Sequence, residues 1–383
     1  MMSFDWKDWR KPALPTPART PSPDTEGEPL LAPGLPLRHA RVVDIAAYAG
    51  VGTATVDRVL NRRARVRETT RQRVLQAKAA IESGRWQRPA NVSDRAGSRT
   101  TPWRVRVMLP AEAGPSTEYL ASAFQSCGAA GGVTVECEFT RKMEPALLAR
   151  KLRACTGQRV DAVAFQALDD PRVHQAVEAV SAEGVPCLAV ASGLANPALS
   201  GYVGVDNLAA GRTAGYLMAK WVAGGGDVAV VSGGQLYRCH DEREMGFRAA
   251  LRPHAGRLRL VGPFSGDDDD SGNEAVVAEV LERYPALVGV YNVGGGNAGL
   301  VRALEQRGVA RELAVIAHNL TAETRDFLLD EAIDIVIHQD MRRVAEDTVA
   351  ALVATLEQRP HTVQPLRVEV ITRENTQNVF TPA

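Results

Sequence analysis

The sequence predicts a small all-α headpiece of helix-turn-helix type, a linker, and an α/β core of two lobes, each built on a parallel sheet. Three observations carry that prediction. Between Arg41 and Asn61, apolar residues recur at helical spacing in two short runs separated by Gly50. From Trp103 onward, continuous β-branched runs alternate with helical stretches, the pattern of parallel strands covered on both faces. Eleven such runs are too many for one open sheet of modest size, so the core divides into two.

Residues 1–40 hold 8 of the 22 prolines and almost no apolar periodicity, so they read as a disordered arm. Phe4, Trp6 and Trp9 alternate with charges where an export signal would need a continuous apolar core. The headpiece is expected over 41–88. Val42, Ile45, Ala46 and Ala49 share one face of a first helix with Asp44 at its positive end, and Gly50 ends it, since glycine takes positive φ without a Cβ penalty. A second helix starts near Thr53, capped by Gly52 or Thr53, and turns Val56, Val59 and Leu60 inward. Thr53, Ala54, Thr55, Arg58 and Asn61 remain on the outer face, small or polar residues at a helix start, as entry into a major groove requires. A helical hairpin packed on something else would have the same shape, and charge separates the two readings. Ten arginines and one lysine stand against four carboxylates between Arg41 and Arg88, in a chain whose 45 basic and 45 acidic residues cancel overall. Such a concentration of cations is a footprint for a polyanion.

Three motifs follow in close succession: Asp44-Ile-Ala-x-x-Ala-Gly-Val51, Thr55-Val-Asp-Arg-Val-Leu-Asn61 and Val66-Arg-x-x-Thr-Arg-x-x-Val74. Together they resemble the DNA-binding headpiece of the lactose-repressor family. The resemblance implies that Thr53, Ala54 and Arg58 read bases of a double-stranded operator and that Thr55, Asn61 and Thr70 position the phosphate backbone. It also implies a third helix over 68–83. Asp57 stands where many members carry serine.

Residues 89–103 read as a linker. In the resembled family this region folds on DNA into a hinge helix that wedges a leucine into the minor groove. No leucine lies between Arg85 and Trp103; Val92 is a weak substitute, which leaves Arg85, Arg88, Arg95 and Arg99 to reach phosphates instead.

Core strands are expected over 105–109, 133–139, 160–165, 186–190, 202–205, 227–231, 258–261, 287–291, 313–317, 333–337 and 366–371. Ligands collect beyond the carboxyl ends of such strands, and these ends are polar. Asp206 and Asn207 follow the fifth strand, Asn292 the eighth, His318 and Asn319 the ninth, and His338, Gln339 and Asp340 the tenth, while Arg243 lies in a loop running into a helix after the sixth. Singly, such residues are ordinary loop polars. As a set of amides with one Asp and one Arg, they match the hydroxyls of a sugar-like molecule.

Gly204-Val-Asp206-Asn-x-Ala-Ala-Gly-Arg212, Glu242-Arg243-Glu-Met-Gly-Phe247, Tyr291-Asn292-Val-Gly-Gly-Gly-Asn297 and His338-Gln339-Asp340 are similar to the sugar-sensing core of the same family and of ribose-type periplasmic binding proteins. The resemblance implies two Rossmann-like lobes of periplasmic-binding-protein type I, with Asp206, Arg243, Asn292, Asn319 and Gln339 lining the cleft and Ser192 and Tyr119 as weaker candidates. At Asn319 the family more often has a carboxylate. The core spans 104–383: lobe one is expected over 104–223 plus 341–359, and lobe two over 225–338 plus 361–372.

Other patterns point to bland readings. Gly294-Gly-Gly296-Asn-Ala-Gly299 has dinucleotide-fingerprint spacing, yet His318 and Asn319 stand where the fingerprint asks for an acid, so the glycines are expected to let backbone approach a ligand. Four consecutive aspartates at 267–270 lack the alternating ligands of a calcium loop and read as a solvated turn. The seven histidines show no metal-ligand spacing, and the five cysteines form no Cys-x-x-Cys pair, which fits a reducing compartment. No nucleophile, base and orienter set is defensible, so neither enzyme activity nor a cofactor or metal is expected. No run of about eighteen apolar residues suggests a membrane span. The combined expectation is a sequence-specific DNA-binding transcription regulator, a repressor, acting in the cytoplasm at the nucleoid as a homodimer on a near-palindromic operator. A sugar or polyol effector changes its operator affinity; pairing of dimers into a tetramer is left open. The alternative is a sugar-binding protein of a transport system without a regulatory role.

Overall fold

The computed structural model describes residues 45, 49, 51, 53–60, 66, 68–82, 101–111, 114–130, 132–234 and 236–376. The chain divides into two compact units, 1–86 and 87–383. In the first, Ile45 and Ala49 are helical and buried one turn apart, followed by α1 (Thr53–Leu60) and α2 (Glu68–Glu82). Ile45, Ala49, Val56, Val59, Val74 and Ala77 form its apolar core. Arg73 Nη2 donates to the Ala49 carbonyl at 2.7 Å and so satisfies an acceptor that a helix end leaves open. Asp57 and Arg58 are exposed, on the side of α1 opposite its buried valines. The expectations for the arm, for Val42, Ala46, Gly50, Gly52 and Asn61, and for the linker up to residue 100 lie outside the described residues.

The second unit contains all eleven predicted strands, with ends shifted by a few residues: β1 (Trp103–Pro110), β2 (Val133–Thr140), β3 (Ala162–Phe165), β4 (Cys187–Val190), β5 (Gly201–Val203), β6 (Gly226–Ser232), β7 (Leu258–Ser265), β8 (Leu287–Asn292), β9 (Ala314–His318), β10 (Ile335–His338) and β11 (Glu369–Ile371). Between them run α3 (Pro115–Ala130), α4 (Pro145–Arg153), α5 (Pro171–Ala182), α6 (Asn207–Trp221), α7 (Arg238–Leu251), α8 (Asp270–Arg283), α9 (Asn297–Gln306), α10 (Ala322–Leu329) and α11 (Met341–Leu356). They form two sheets, ordered β2-β1-β3-β4-β5 and β11-β10-β9-β8-β6-β7. All pairings are parallel except β10 with β11, which the prediction of wholly parallel sheets did not anticipate.

Strand residues alternate between faces, so each sheet supports two cores. In lobe one, Val105, Val107 and Leu109 pack beneath α3 and α11 with Phe124, Val344 and Leu352, while Val163 and Phe165 face α4 and α5 through Leu148, Leu152, Val173 and Val177. In lobe two, Val231, Val290 and Val315 face α8 to α10, and Val228, Val230 and Ile316 face α6 and α7. Full burial of a side chain of this size is worth about 1.5–3 kcal/mol, so the four cores dominate the stability of the unit.

The first lobe boundary differs from expectation. Lobe one was expected to run to residue 223, but the chain changes lobes near Val205, and α6 belongs to lobe two. Ala210, Ala214 and Met218 pack on that lobe's sheet, and Gly211 and Gly215 let α6 lie against α7: a Cβ at Gly211 would fall 1.9 Å from the Arg243 carbonyl oxygen. The chain returns to lobe one at Gln339 and leaves it again after α11. Leu366 N–H donates to the Gly204 carbonyl at 2.9 Å, and Val205 N–H donates to Gln339 Oε1 at 3.4 Å, so the three crossovers are tied together.

Candidate ligand cleft between the lobes

A cleft of about 260 Å³ opens where the carboxyl ends of the two sheets face each other. Lobe one contributes the start of α3 from Pro115 to Thr117, Gln166 after β3 and Ala191 after β4; lobe two contributes Cys239, His240 and Arg243 of α7, the β7–α8 loop at 268–270, the β8–α9 loop at 294–297, and His318 and Asn319 after β9. Gln339 lies on the crossover after β10. Parallel strands point their carboxyl ends at one side of a sheet, so residues distant in sequence converge there.

Arg243 is 3% exposed, and its fork is held from behind: Nε donates to Asn207 Oδ1 at 2.9 Å and Nη1 to the Val293 carbonyl at 2.8 Å. His240 and Asp268 face each other, with Nε2 3.7 Å from Oδ2 and both side chains under a tenth exposed. Burial opposes a charged imidazole, but the Asp268 carboxylate and the Cys239 sulfur outweigh it and push His240 up to about 9. Reciprocally, burial opposes a Cys239 thiolate, but His240 and Arg243 pull this thiol below its ordinary value. Burial raises the other four thiols, Cys137 to about 11 and Cys187 to about 12. His318 is held well below its usual value by burial, by Arg243 and by His240. Its Nε2 shares a hydrogen bond of 2.7 Å with the Tyr291 hydroxyl.

Asn319 adopts φ 63°, a region Asn tolerates better than most residues. Its Oδ1 is buried with no partner, as is His240 Nδ1. Those two atoms are hydrogen-bonding capacity that the fold itself does not use.

The cleft thus gathers Arg243, Asn319 and Gln339 of the expected residues. The other four lie off its lining. Asp206 is exposed and caps α6 by accepting the Ala209 N–H at 2.9 Å. Ser192 is fully buried, with Oγ 3.5 Å from the Cys239 N–H. Asn292 stands behind the β8–α9 loop, donating to the Gly295 carbonyl and to Asn297 Oδ1, both at 2.8 Å. Tyr119 sits on α3, 36% exposed.

Cys239, His240, Gln166 and Asp268 were missed. Spacing gave a signal for the first two, since they precede Arg243 by four and three residues and share its helix face. The aspartate run is not a free turn. Asp268 Oδ1 accepts the Gly295 N–H at 2.7 Å, Asp269 caps α8, and Lys142 from lobe one donates to the Asp267 and Asp268 carbonyls at 3.1 Å. The glycines after β8 also make room for this loop: a Cβ at Gly294, which itself lines the cleft, would lie 1.9 Å from Asp268 Oδ1, and one at Gly299 1.7 Å from the Asp270 carbonyl oxygen. Among the described residues there is no cluster of three or more His, Cys, Asp or Glu suited to a metal ion, and no helix long and apolar enough to cross a membrane.

Residues 116–360 match the periplasmic binding protein domain and residues 42–82 the lacI family of bacterial regulatory proteins. No curated protein matches the chain. Among solved structures, a solute-binding protein of an ABC transporter from Burkholderia graminis in complex with D-arabinose is 22% identical, with a TM-score of 0.69 over 73% of this chain and 98% of that one. GanP, a glucose-galactose binding protein from Geobacillus stearothermophilus, is 18% identical, with a TM-score of 0.67 over 72% and 99%. An Agrobacterium vitis solute-binding protein bound with α-D-tagatopyranose is 19% identical, with a TM-score of 0.67 over 72% and 96%. These share the fold of the core. With a regulator headpiece and a binding-protein core in one polypeptide, the chain belongs to the lactose-repressor type of bacterial regulatory proteins.

Proposed function

We propose that this protein is a repressor that binds a near-palindromic operator as a homodimer in the cytoplasm and changes operator affinity when a small sugar or polyol occupies the cleft. One observation carries the reading: a lacI-type headpiece at 42–82 shares its chain with a cleft holding a buried Arg243 and unused polar atoms on His240 and Asn319. In the headpiece, Thr53, Ala54 and Arg58 read bases while Thr55, Asn61 and Thr70 set the backbone register. In the core, Arg243, Asn319 and Gln339 contact effector hydroxyls, and Ser192, Asp206 and Asn292 support that wall from behind. The effector acts through its differential affinity for open and closed lobes, which set the headpiece spacing.

The test is fluorescence anisotropy of the purified protein on short duplexes from its own upstream region, titrated with salt and then with a sugar and polyol panel. Tight binding to particular duplexes, shifted by one class of compound, supports the reading. Two of the solved relatives named above are solute-binding proteins of ABC transporters, which favours a second reading as a solute-binding protein. Weak, identical binding to every duplex together with saturable sugar binding would select it.

A further inference from the structure

The first turn of α7 belongs to both lobes. Tyr237 and Cys239 are carried by lobe two, yet they are buried in the lobe-one apolar cluster that contains Phe165 and Leu168. Two hydrogen bonds make the same crossing, from Asp169 N–H to the Leu236 carbonyl at 2.8 Å and from Cys239 N–H to the Ser192 side-chain Oγ at 3.5 Å. Cys239 therefore sits where the lobes close on each other, and it also lines the cleft.

Its surroundings are those of a reactive thiol. Cys239 is the second residue of a 14-residue helix, where the helix dipole favours an anion. Arg243 follows one turn later on the same face, and the adjacent His240 is paired with Asp268. The His240 ring lines the cleft, is 6% exposed, and keeps a buried Nδ1 without a partner. No other described cysteine lines this cleft.

We propose that Cys239 is a thiol switch: an α,β-unsaturated carbonyl compound entering the cleft is captured by this side chain, and the adduct holds the lobes apart. The sulfur forms a bond to the β-carbon as the C=C π pair moves onto the carbonyl. The resulting enolate takes one proton from the His240 imidazolium, which solvent re-protonates. Nothing leaves, and no oxidant is needed. Cys239 is 5% exposed, so an added group overpacks the lobe interface, and the closed arrangement must give way. Capture and opening stand on the core alone; the resulting change in operator affinity rests on the regulator reading.

N-ethylmaleimide is the probe, applied to the full chain, with labelling of each cysteine followed by peptide mass spectrometry and lobe opening by small-angle X-ray scattering. Cys239 is expected to label roughly tenfold faster than Cys155 and Cys187, and His240→Gln to slow it about fivefold. Labelling should enlarge the radius of gyration of the parent protein and leave that of Cys239→Ala unchanged. Equal labelling rates, or fast labelling with no change in radius, would overturn the proposal. Duplex anisotropy is read separately. Duplex binding altered by the label in the parent protein and not in Cys239→Ala supports the switch; binding that the label leaves unaltered defeats it. If no duplex is bound with or without label while labelling and scattering behave as expected, capture and opening stand, and the regulator reading is what fails.

Discussion

Arg243, in the second turn of α7, and Asn207, at the start of α6, join two helices of lobe two: the guanidinium Nε–H donates to the amide Oδ1 at 2.9 Å, with both side chains buried. The bond points the rest of the fork into the cleft, and the Val293 carbonyl holds its other edge. Replacing Arg243 with Ala leaves both acceptors buried and unpaired, for a loss of about 2–4 kcal/mol in stability and loss of the effector response. Thermal unfolding reads the first effect and duplex release the second. Normal release by Arg243→Ala would sink its assignment to the site.

Gly294→Ala should disorganise the cleft without adding or removing a charged side chain. The new Cβ would lie 1.9 Å from Asp268 Oδ1, the atom that accepts the Gly295 N–H. A clash of this kind costs about 1–3 kcal/mol. Gly256→Ala, where no atom lies within 4 Å of the added Cβ, is the control. Equal melting temperatures for the two variants would count against the tight loop packing.

Acid should weaken the core through two histidines. His338 is held down to about 4 by burial, only partly countered by Asp340, and its Nδ1 accepts the Leu320 N–H at 3.0 Å. In the unfolded chain the same ring titrates near 6.5. Between those values the unfolded state binds a proton that the folded state does not. The His338 contribution is therefore fully present above about pH 6.5 and is lost as pH falls toward 4, by on the order of 3 kcal/mol. His318, also held low, acts in the same direction. His338→Asn keeps an acceptor but does not titrate, so its unfolding free energy should vary less across this range. A slope unchanged from the parent protein would refute the assignment.

Arg58 is exposed on α1, and Val56 and Val59 beside it are buried. Arg58→Ala should weaken specific duplex binding by about 1–3 kcal/mol while leaving effector binding and thermal stability as they were. Anisotropy on matched and scrambled duplexes distinguishes loss of base reading from a uniform electrostatic loss. A uniform loss would move Arg58 from the bases to the phosphates.

The local physics of the sequence was enough to determine the elements. Continuous runs such as 227–231 and 313–317 are strands because buried parallel strands need apolar side chains on both faces, and the headpiece motif carries its own helix spacing. Arg243 and Gln339 were legible as cleft-lining residues because they follow strand ends within recognisable motifs.

Tertiary structure decided what depends on two distant segments at once. Asp206 and Asn319 both follow strands, yet one caps a helix and the other presents an unpartnered oxygen, a difference that backbone direction at the strand end creates. The pairing of His240 with Asp268 needs the β7–α8 loop to fold over the glycines after β8, which no local pattern encodes. The lobe membership of α6 likewise followed from the close approach of Gly211 to the α7 backbone, which no local pattern announces. Periodicity reports which face of an element is buried; what buries it is set by packing between segments that the sequence keeps far apart.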